Sequence, residues 1–208
     1  MIAIAMPGEA WALEGVFTGA AGEEPGGAVI APPHPLYGGS MDNPVVGELG
    51  WALAQAGLAS VRFNWRGVGA SGGEPSGECA PAEADYAAAL ACLEETAPGP
   101  LVAAGYSFGA ATAVRVAARS PRVRRLLLVA PPPALLDAEA LAGFGGRVLA
   151  LVGDRDGFAP VEAVRALLGE DPRRRLEVIP HADHFFAEGL ADVGRLARAW
   201  LGDGPPHR

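Results

Sequence analysis

The chain has no lysine. Its sixteen basic residues other than histidine are all arginine, and twenty-four aspartates and glutamates outnumber them, for a net charge of −8. That balance leaves no electrostatic footprint for nucleic acid or an anionic membrane, so a neutral or weakly charged partner is expected. The missing lysine also removes the Gly-Lys-Ser/Thr ending of a phosphate-binding loop. The glycines between Arg62 and Gly73 therefore carry no nucleotide site. Arg66 is expected to brace that loop through carbonyls or a carboxylate. Arginine in place of lysine, together with abundant Ala, Gly and Pro, reads as genome composition.

Cysteine is almost as scarce. Cys79 and Cys92 lack the spacing of a metal site and are too few for a disulfide framework, so two free thiols in a reducing cytosol are expected. No apolar run reaches the roughly 18 residues of a membrane span. The apolar start, Met1 to Met6, has no basic residue before it and is broken by Pro7-Gly8-Glu9. It reads as a first strand rather than a leader. These absences together predict a soluble, cytoplasmic protein with no membrane partner, and leave homo-oligomerisation open.

What is present is half apolar, 208 residues with material for one core, so a single domain over 1–208 is expected, with 202–208 as a frayed tail. Short β-branched or apolar runs alternate with Ala/Leu-rich segments of helical period. That alternation predicts an α/β fold: a mostly parallel sheet, antiparallel N-terminal strands, and helices on both faces. Residues 1–6 and 10–18 form the opening hairpin, and a Gly/Glu-rich linker covers 19–27. Strands follow at 28–31, 58–65, 101–106, 123–130, 148–153 and 176–179. Helices start at Asn43-Pro44, Pro81, Phe108, about Pro160 and about Glu188.

The segment Gly105-Tyr106-Ser107-Phe108-Gly109 lies between the apolar strand Leu101–Ala104 and an alanine-rich helix. Gly-x-Ser-x-Gly alone is a weak signal in a glycine-rich chain. Placed between strand and helix it is the arrangement of a nucleophile elbow, where Ser107 takes a strained conformation and its glycines let strand and helix converge. The helix N-terminus aims the Phe108 amide at developing negative charge. Otherwise Ser107 would merely cap a helix.

A serine hydroxyl near neutral pH needs an imidazole to take its proton and a carboxylate to orient the imidazole. Asp156, in Gly153-Asp154-Arg155-Asp156-Gly157, follows a predicted strand. His184, in His181-Ala182-Asp183-His184-Phe185-Phe186, follows the last one. Their order after Ser107 is that of a strand-borne serine hydrolase. Asp154 rivals Asp156, but as the residue nearest the strand it is expected to tie down the turn. His181 rivals His184. In Pro32-Pro33-His34-Pro35-Leu36-Tyr37-Gly38-Gly39-Ser40-Met41-Asp42-Asn43, Pro35 has no N–H, so Leu36 is the better second oxyanion donor and Tyr37 the next. Tyr37, Met41 and Tyr106 are candidates for lining the pocket.

His34 to Asn43, Arg62 to Gly73, the elbow, and Asp183-His184-Phe185-Phe186 together resemble a small bacterial group of serine α/β-hydrolases, dienelactone-hydrolase-like and without a large cap. The resemblance covers nearly the whole chain. It implies the α/β-hydrolase fold, a triad of Ser107, Asp156 and His184, and an oxyanion hole from the Leu36 and Phe108 amides. Dienelactone hydrolases proper carry cysteine at the elbow, so their substrate is not implied. Pro33, His181 and Gly157-Phe158-Ala159 depart from the group's usual residues and touch no triad position.

The chemistry expected is acyl transfer to water on a small-molecule acyl substrate, an ester or thioester, with no metal and no cofactor. Peptidase or other acyl-transferase activity is the alternative on the same triad, and a non-catalytic binding scaffold the alternative of a different class. Only residues 131–147 separate two strands where a lid would be inserted, so an open pocket is expected, with Leu135, Leu136 and Phe144 as candidate walls.

Overall fold

The computed structural model describes residues 1–20 and 26–202. Most of the linker expected at 19–27, and all of the expected tail beyond Gly202, lie outside the described residues.

The N-terminal strands β1 (Ile2–Ala5) and β2 (Ala12–Thr18) pair antiparallel, as the turn residues Pro7-Gly8 require. β2 then pairs antiparallel with β4 (Ala59–Phe63). From there the sheet is parallel: β3 (Gly27–Ala31), β5 (Leu101–Tyr106), β6 (Val123–Val129), β7 (Arg147–Gly153) and β8 (Arg174–Ile179). The eight strands run in the order β1-β2-β4-β3-β5-β6-β7-β8. β3 and β5 are buried at every residue, which is why they read as continuous Ala/Val/Ile/Leu rather than alternating.

Helix α1 (Pro44–Gln55) is capped by the Asn43 side chain, which accepts the Val45 N–H, and packs on α6 (Leu190–Gly202). A second set, α2 (Cys79–Glu94), α3 (Phe108–Ala117), α4 (Ala138–Gly143) and α5 (Val161–Leu168), packs in sequence along the sheet. α2 begins two residues before Pro81, because a proline in the first turn surrenders only an N–H that has no intrahelical partner. α4 replaces what the sequence suggests is plain loop. Asp137 caps it by accepting the Ala140 N–H, and the apolar Leu141 is buried under it. No helix among the described residues is long and apolar enough to cross a membrane.

A parallel sheet puts every strand's C-terminal end on one edge, and the loops leaving that edge carry the site. Among the described residues, all four non-glycine residues with positive φ fall there: Ser107 after β5, Ala130 after β6, and His181 and Phe186 after β8. Strain of this kind, about 1–3 kcal/mol per residue, persists only where surrounding packing fixes it. A cavity of about 700 Å³ lies between α2 and α3 and includes none of these residues.

Candidate active site

Ser107 sits between β5 and α3, at φ 55° and ψ −117°. Its own N–H donates to the Val129 carbonyl of the neighbouring strand at 2.8 Å, locking the turn to the sheet. The turn is possible only without side chains at its flanks. A Cβ on Gly105 would stand 2.3 Å from the Gly109 carbonyl carbon, and one on Gly109 would stand 2.5 Å from the carbonyl oxygens of Ala31 and Pro32. As first residue of α3, Phe108 has an N–H that belongs to the unpaired first turn and faces the same edge as Ser107.

The Ser107 Oγ is 3.0 Å from His184 Nε2, and His184 Nδ1 is 2.8 Å from Asp156 Oδ2. The Asp156 carboxylate is fully buried and the imidazole nearly so. Asp156 Oδ1 accepts two backbone N–H groups, from Phe158 at 2.8 Å and Ala159 at 2.7 Å. Asp156 itself therefore ties down its turn, the role the sequence suggests for Asp154. The Asp154 carboxylate is exposed, and its backbone N–H donates to the Ile179 carbonyl. His181 is likewise exposed, its Nδ1 facing the Arg155 guanidinium at 2.9 Å. Of the two histidines, the structure brings His184 to Ser107.

The loops carrying Asp156 and His184 are fastened to each other. Past the ends of β7 and β8, the Arg155 N–H donates to the Ala182 carbonyl, and a Cβ on Gly153 would lie 2.1 Å from that same oxygen. Tyr106, a candidate for pocket lining, is instead buried. Its hydroxyl donates to the His184 carbonyl at 2.7 Å, so it supports the His184 backbone. Burial, and then the carboxylates of Asp156 and Asp183, push its phenol well above the ordinary range, keeping that donor protonated. Only the length of a tyrosine next to the serine could have hinted at this contact.

The loop after β3 is held at both ends by residues that follow β4. Trp65 Nε1 donates to the Pro33 carbonyl at 2.9 Å, while Asn64 Oδ1 accepts the Met41 N–H at 2.8 Å. Met41 is thus buried at the loop's anchor and does not stand on the rim. Asn64 also donates to Glu14, whose carboxylate takes the Ala70 N–H, which ties the loop to the N-terminal hairpin. Arg66 braces its own loop as expected, through a bidentate pair with the buried Asp85 and the Pro81 carbonyl.

Between those anchors Pro35–Tyr37 form one 3-10 turn. Here the expected donor is already engaged: the Leu36 N–H donates to His34 Nδ1 at 3.2 Å, and the Tyr37 N–H donates to the His34 carbonyl. The sequence hides this because the acceptor is a side chain two residues back. The His34 ring packs against Tyr37 and Phe108, each at a 4.7 Å centroid distance. Burial holds its pKa below the ordinary histidine value of about 6.5. Since the fold favours the neutral ring, this contribution to stability is complete above pH 6.5. It is lost as pH falls from there through the lower folded value. In His34→Asn, whose Oδ1 accepts the same N–H without titrating, the denaturation midpoint should lose that part of its decline below pH 6.5. Urea titrations of both proteins at a series of pH values measure it, and parallel curves would disprove it.

Tyr37, Leu36, Phe185 and Phe158 are all strongly exposed, at 87%, 58%, 68% and 63%. Leu135 joins them at the edge of exposure, while Phe144 is buried and Leu136 half-buried. The first five stand on loops at the C-terminal edge of the sheet. Among the described residues no group of three or more His, Cys, Asp or Glu is placed to hold a metal.

An eight-stranded, mostly parallel sheet with this serine turn and these loops defines an α/β-hydrolase of the serine hydrolase and esterase-like class. More particularly, the family described as serine aminopeptidase, S33, matches residues 38–152, and the chain belongs to it. That span contains Ser107 and stops short of Asp156 and His184. The chain is similar to an alpha-beta serine hydrolase homologue from Coxiella burnetii, with 33% identity, 96% of each chain covered and a TM-score of 0.84. It is similar to a protein of unknown function from Agrobacterium tumefaciens, with 29% identity, 96% of this chain and 94% of that one covered and a TM-score of 0.88. A third likeness is to a Xanthomonas campestris member of the serine hydrolases without lid, with 28% identity, 98% and 96% coverage and a TM-score of 0.77.

Proposed function

We propose that the chain is a single-domain carboxylesterase that cleaves small esters or thioesters through an acyl-enzyme formed on Ser107. The observation that carries this reading is the contact series from Ser107 Oγ to His184 Nε2 at 3.0 Å and from His184 Nδ1 to Asp156 Oδ2 at 2.8 Å.

In this reading His184 takes the Ser107 proton as Oγ attacks the carbonyl carbon, and Asp156 holds the imidazolium that forms. The oxyanion is received by the Phe108 N–H and by the Leu36 N–H. The Leu36 N–H must leave His34 Nδ1 to do so. That contact, at 3.2 Å, is long, and a charged oxygen is the stronger acceptor. Each such donor is worth roughly 3 to 4 kcal/mol. His184 then gives its proton to the leaving group and activates water for deacylation. No metal and no cofactor take part.

The exposed apolar side chains at the mouth favour an ester over a peptide substrate. An aminopeptidase must hold an α-ammonium, whereas Leu36, Tyr37, Leu135, Phe158 and Phe185 offer no charge. Cys79 and Cys92 are unpaired thiols on one helix, which supports a cytoplasmic location.

Labelling with a fluorophosphonate tests the nucleophile. The wild-type chain should label in a single band and Ser107→Ala should not. A folded wild type that resists the probe, or equal labelling of the variant, would overturn the esterase reading in favour of a binding scaffold.

A further inference from the structure

The proton that leaves His184 fixes where one half of the substrate must lie. The leaving-group oxygen has to come within hydrogen-bond reach of Nε2, about 2.6–3.2 Å. The group attached to that oxygen therefore sits beside the imidazole, on the side away from the oxyanion donors. Two phenyl rings stand at that imidazole. Phe158 lies 4.9 Å from it, centroid to centroid, tilted at 46°, and Phe185 lies 5.6 Å from it at 85°. The two phenyls are 6.4 Å apart and nearly perpendicular.

Neither ring is a core residue that has strayed to the surface. Both remain mostly exposed, and both sit on pinned backbone: the Phe158 N–H on Asp156 Oδ1, and the Phe185 N–H on Asp183 Oδ1 at 3.0 Å. Pinned backbones fix the direction in which each ring leaves the chain, so a ligand has only the side-chain torsions to order. The separations and angles are those at which aromatic rings attract edge to face, and an added ring could join the set at the same spacing.

We propose that the substrate is an ester of an aromatic alcohol, whose ring is received by Phe158 and Phe185 beside His184. This rests on the esterase reading above and specifies its leaving group. In the step concerned, the Ser107 Oγ–acyl carbon bond has formed and the acyl carbon–alcohol oxygen bond breaks. The proton on His184 Nε2 moves to that oxygen, and the free arylalkyl alcohol departs. The acyl portion lies on the opposite side, toward Leu36 and Tyr37.

The test holds the acyl group constant and varies the alcohol. Hexyl acetate supplies an aliphatic group of comparable bulk, and methyl acetate, whose alcohol is close in acidity to benzyl alcohol, shows how much of any difference is leaving-group chemistry. Wild-type kcat/KM should be about tenfold higher for benzyl than for hexyl acetate. The benzyl-to-hexyl ratio should fall toward one in Phe158→Leu and in Phe185→Leu, which keep apolar bulk and remove the ring. A ratio cancels any loss of folded enzyme. A wild-type ratio at or below one, in a chain that labels with fluorophosphonate, overturns the aromatic-alcohol inference and leaves the esterase reading standing. Failure to label overturns the esterase reading instead. A ratio unchanged in both variants, with self-association or vesicle binding lost, would assign the rings to a surface contact and overturn the inference as well.

Discussion

Asp156→Asn should lower kcat about ten-thousandfold while leaving the fold intact. The two oxygens of Asp156 do different work. Oδ1 takes the N–H groups of Phe158 and Ala159, and Oδ2 faces His184 Nδ1. Asparagine has one acceptor oxygen, and two backbone donors compete for it, so its carbonyl must occupy the Oδ1 position. Its NH2 then points at Nδ1. A donor there turns Nδ1 into the acceptor and moves the ring proton to Nε2, where it faces Ser107 and cannot receive the serine's proton. Steady-state rates on an activated ester, with a thermal melt of the same sample, check both halves of the statement. A loss smaller than tenfold would mean that another carboxylate, Asp154 or Asp183, orients the imidazole.

The second large effect is on stability. Gly109→Ala should destabilise the chain by about 3 to 4 kcal/mol, read as a lower denaturation midpoint at unchanged slope. The added methyl would meet the Ala31 and Pro32 carbonyl oxygens at 2.5 Å. Both belong to backbone, and Ala31 lies within the central strand β3. Relief would mean separating α3 from β3, and with it the Ser107 turn from the sheet. Gly157→Ala is the control: a Cβ there meets nothing within 4 Å, so the change should stay within about 0.5 kcal/mol. Equal midpoints for the two variants would show that the elbow tolerates a side chain.

Much of this architecture is legible in the sequence, for reasons that differ from element to element. The central strands read clearly because burial on both faces leaves them no choice but small and branched apolar residues. Ser107, Asp156 and His184 could be singled out because each follows a strand, and a parallel sheet gathers such positions onto one edge. Between neighbours the choice is less visible. Asp154 against Asp156 and His181 against His184 are separated by which side chain the turn directs inward, and one-residue steps around a turn leave no periodicity to read. β8 begins at Arg174, two residues before the apolar run, because an edge strand exposes side chains that a central strand would bury. α4 is too short for a helical period and sits between a proline triplet and a glycine run. The positions of Tyr106, Met41 and the Leu36 N–H depend on partners 78, 23 and 2 residues away, and only the first two are tertiary. The last is local, yet composition does not say which way an imidazole will turn.

The placement of the proposed nucleophile and base on different strands has a consequence for how the site comes apart. Ser107 leaves β5, which is flanked by β3 and β6 in the middle of the sheet, while His184 follows β8, which has a neighbour on one side only. Local opening is easiest at an edge and hardest at the centre. Asp156 follows β7, which stays paired with β6, so a fraying β8 draws His184 away from Asp156 and Ser107 alike, against the Arg155 N–H on the Ala182 carbonyl and the Tyr106 hydroxyl on the His184 carbonyl. The serine is left behind in a folded sheet. Warming is therefore expected to silence the proposed centre by withdrawing its base before the fold itself is lost.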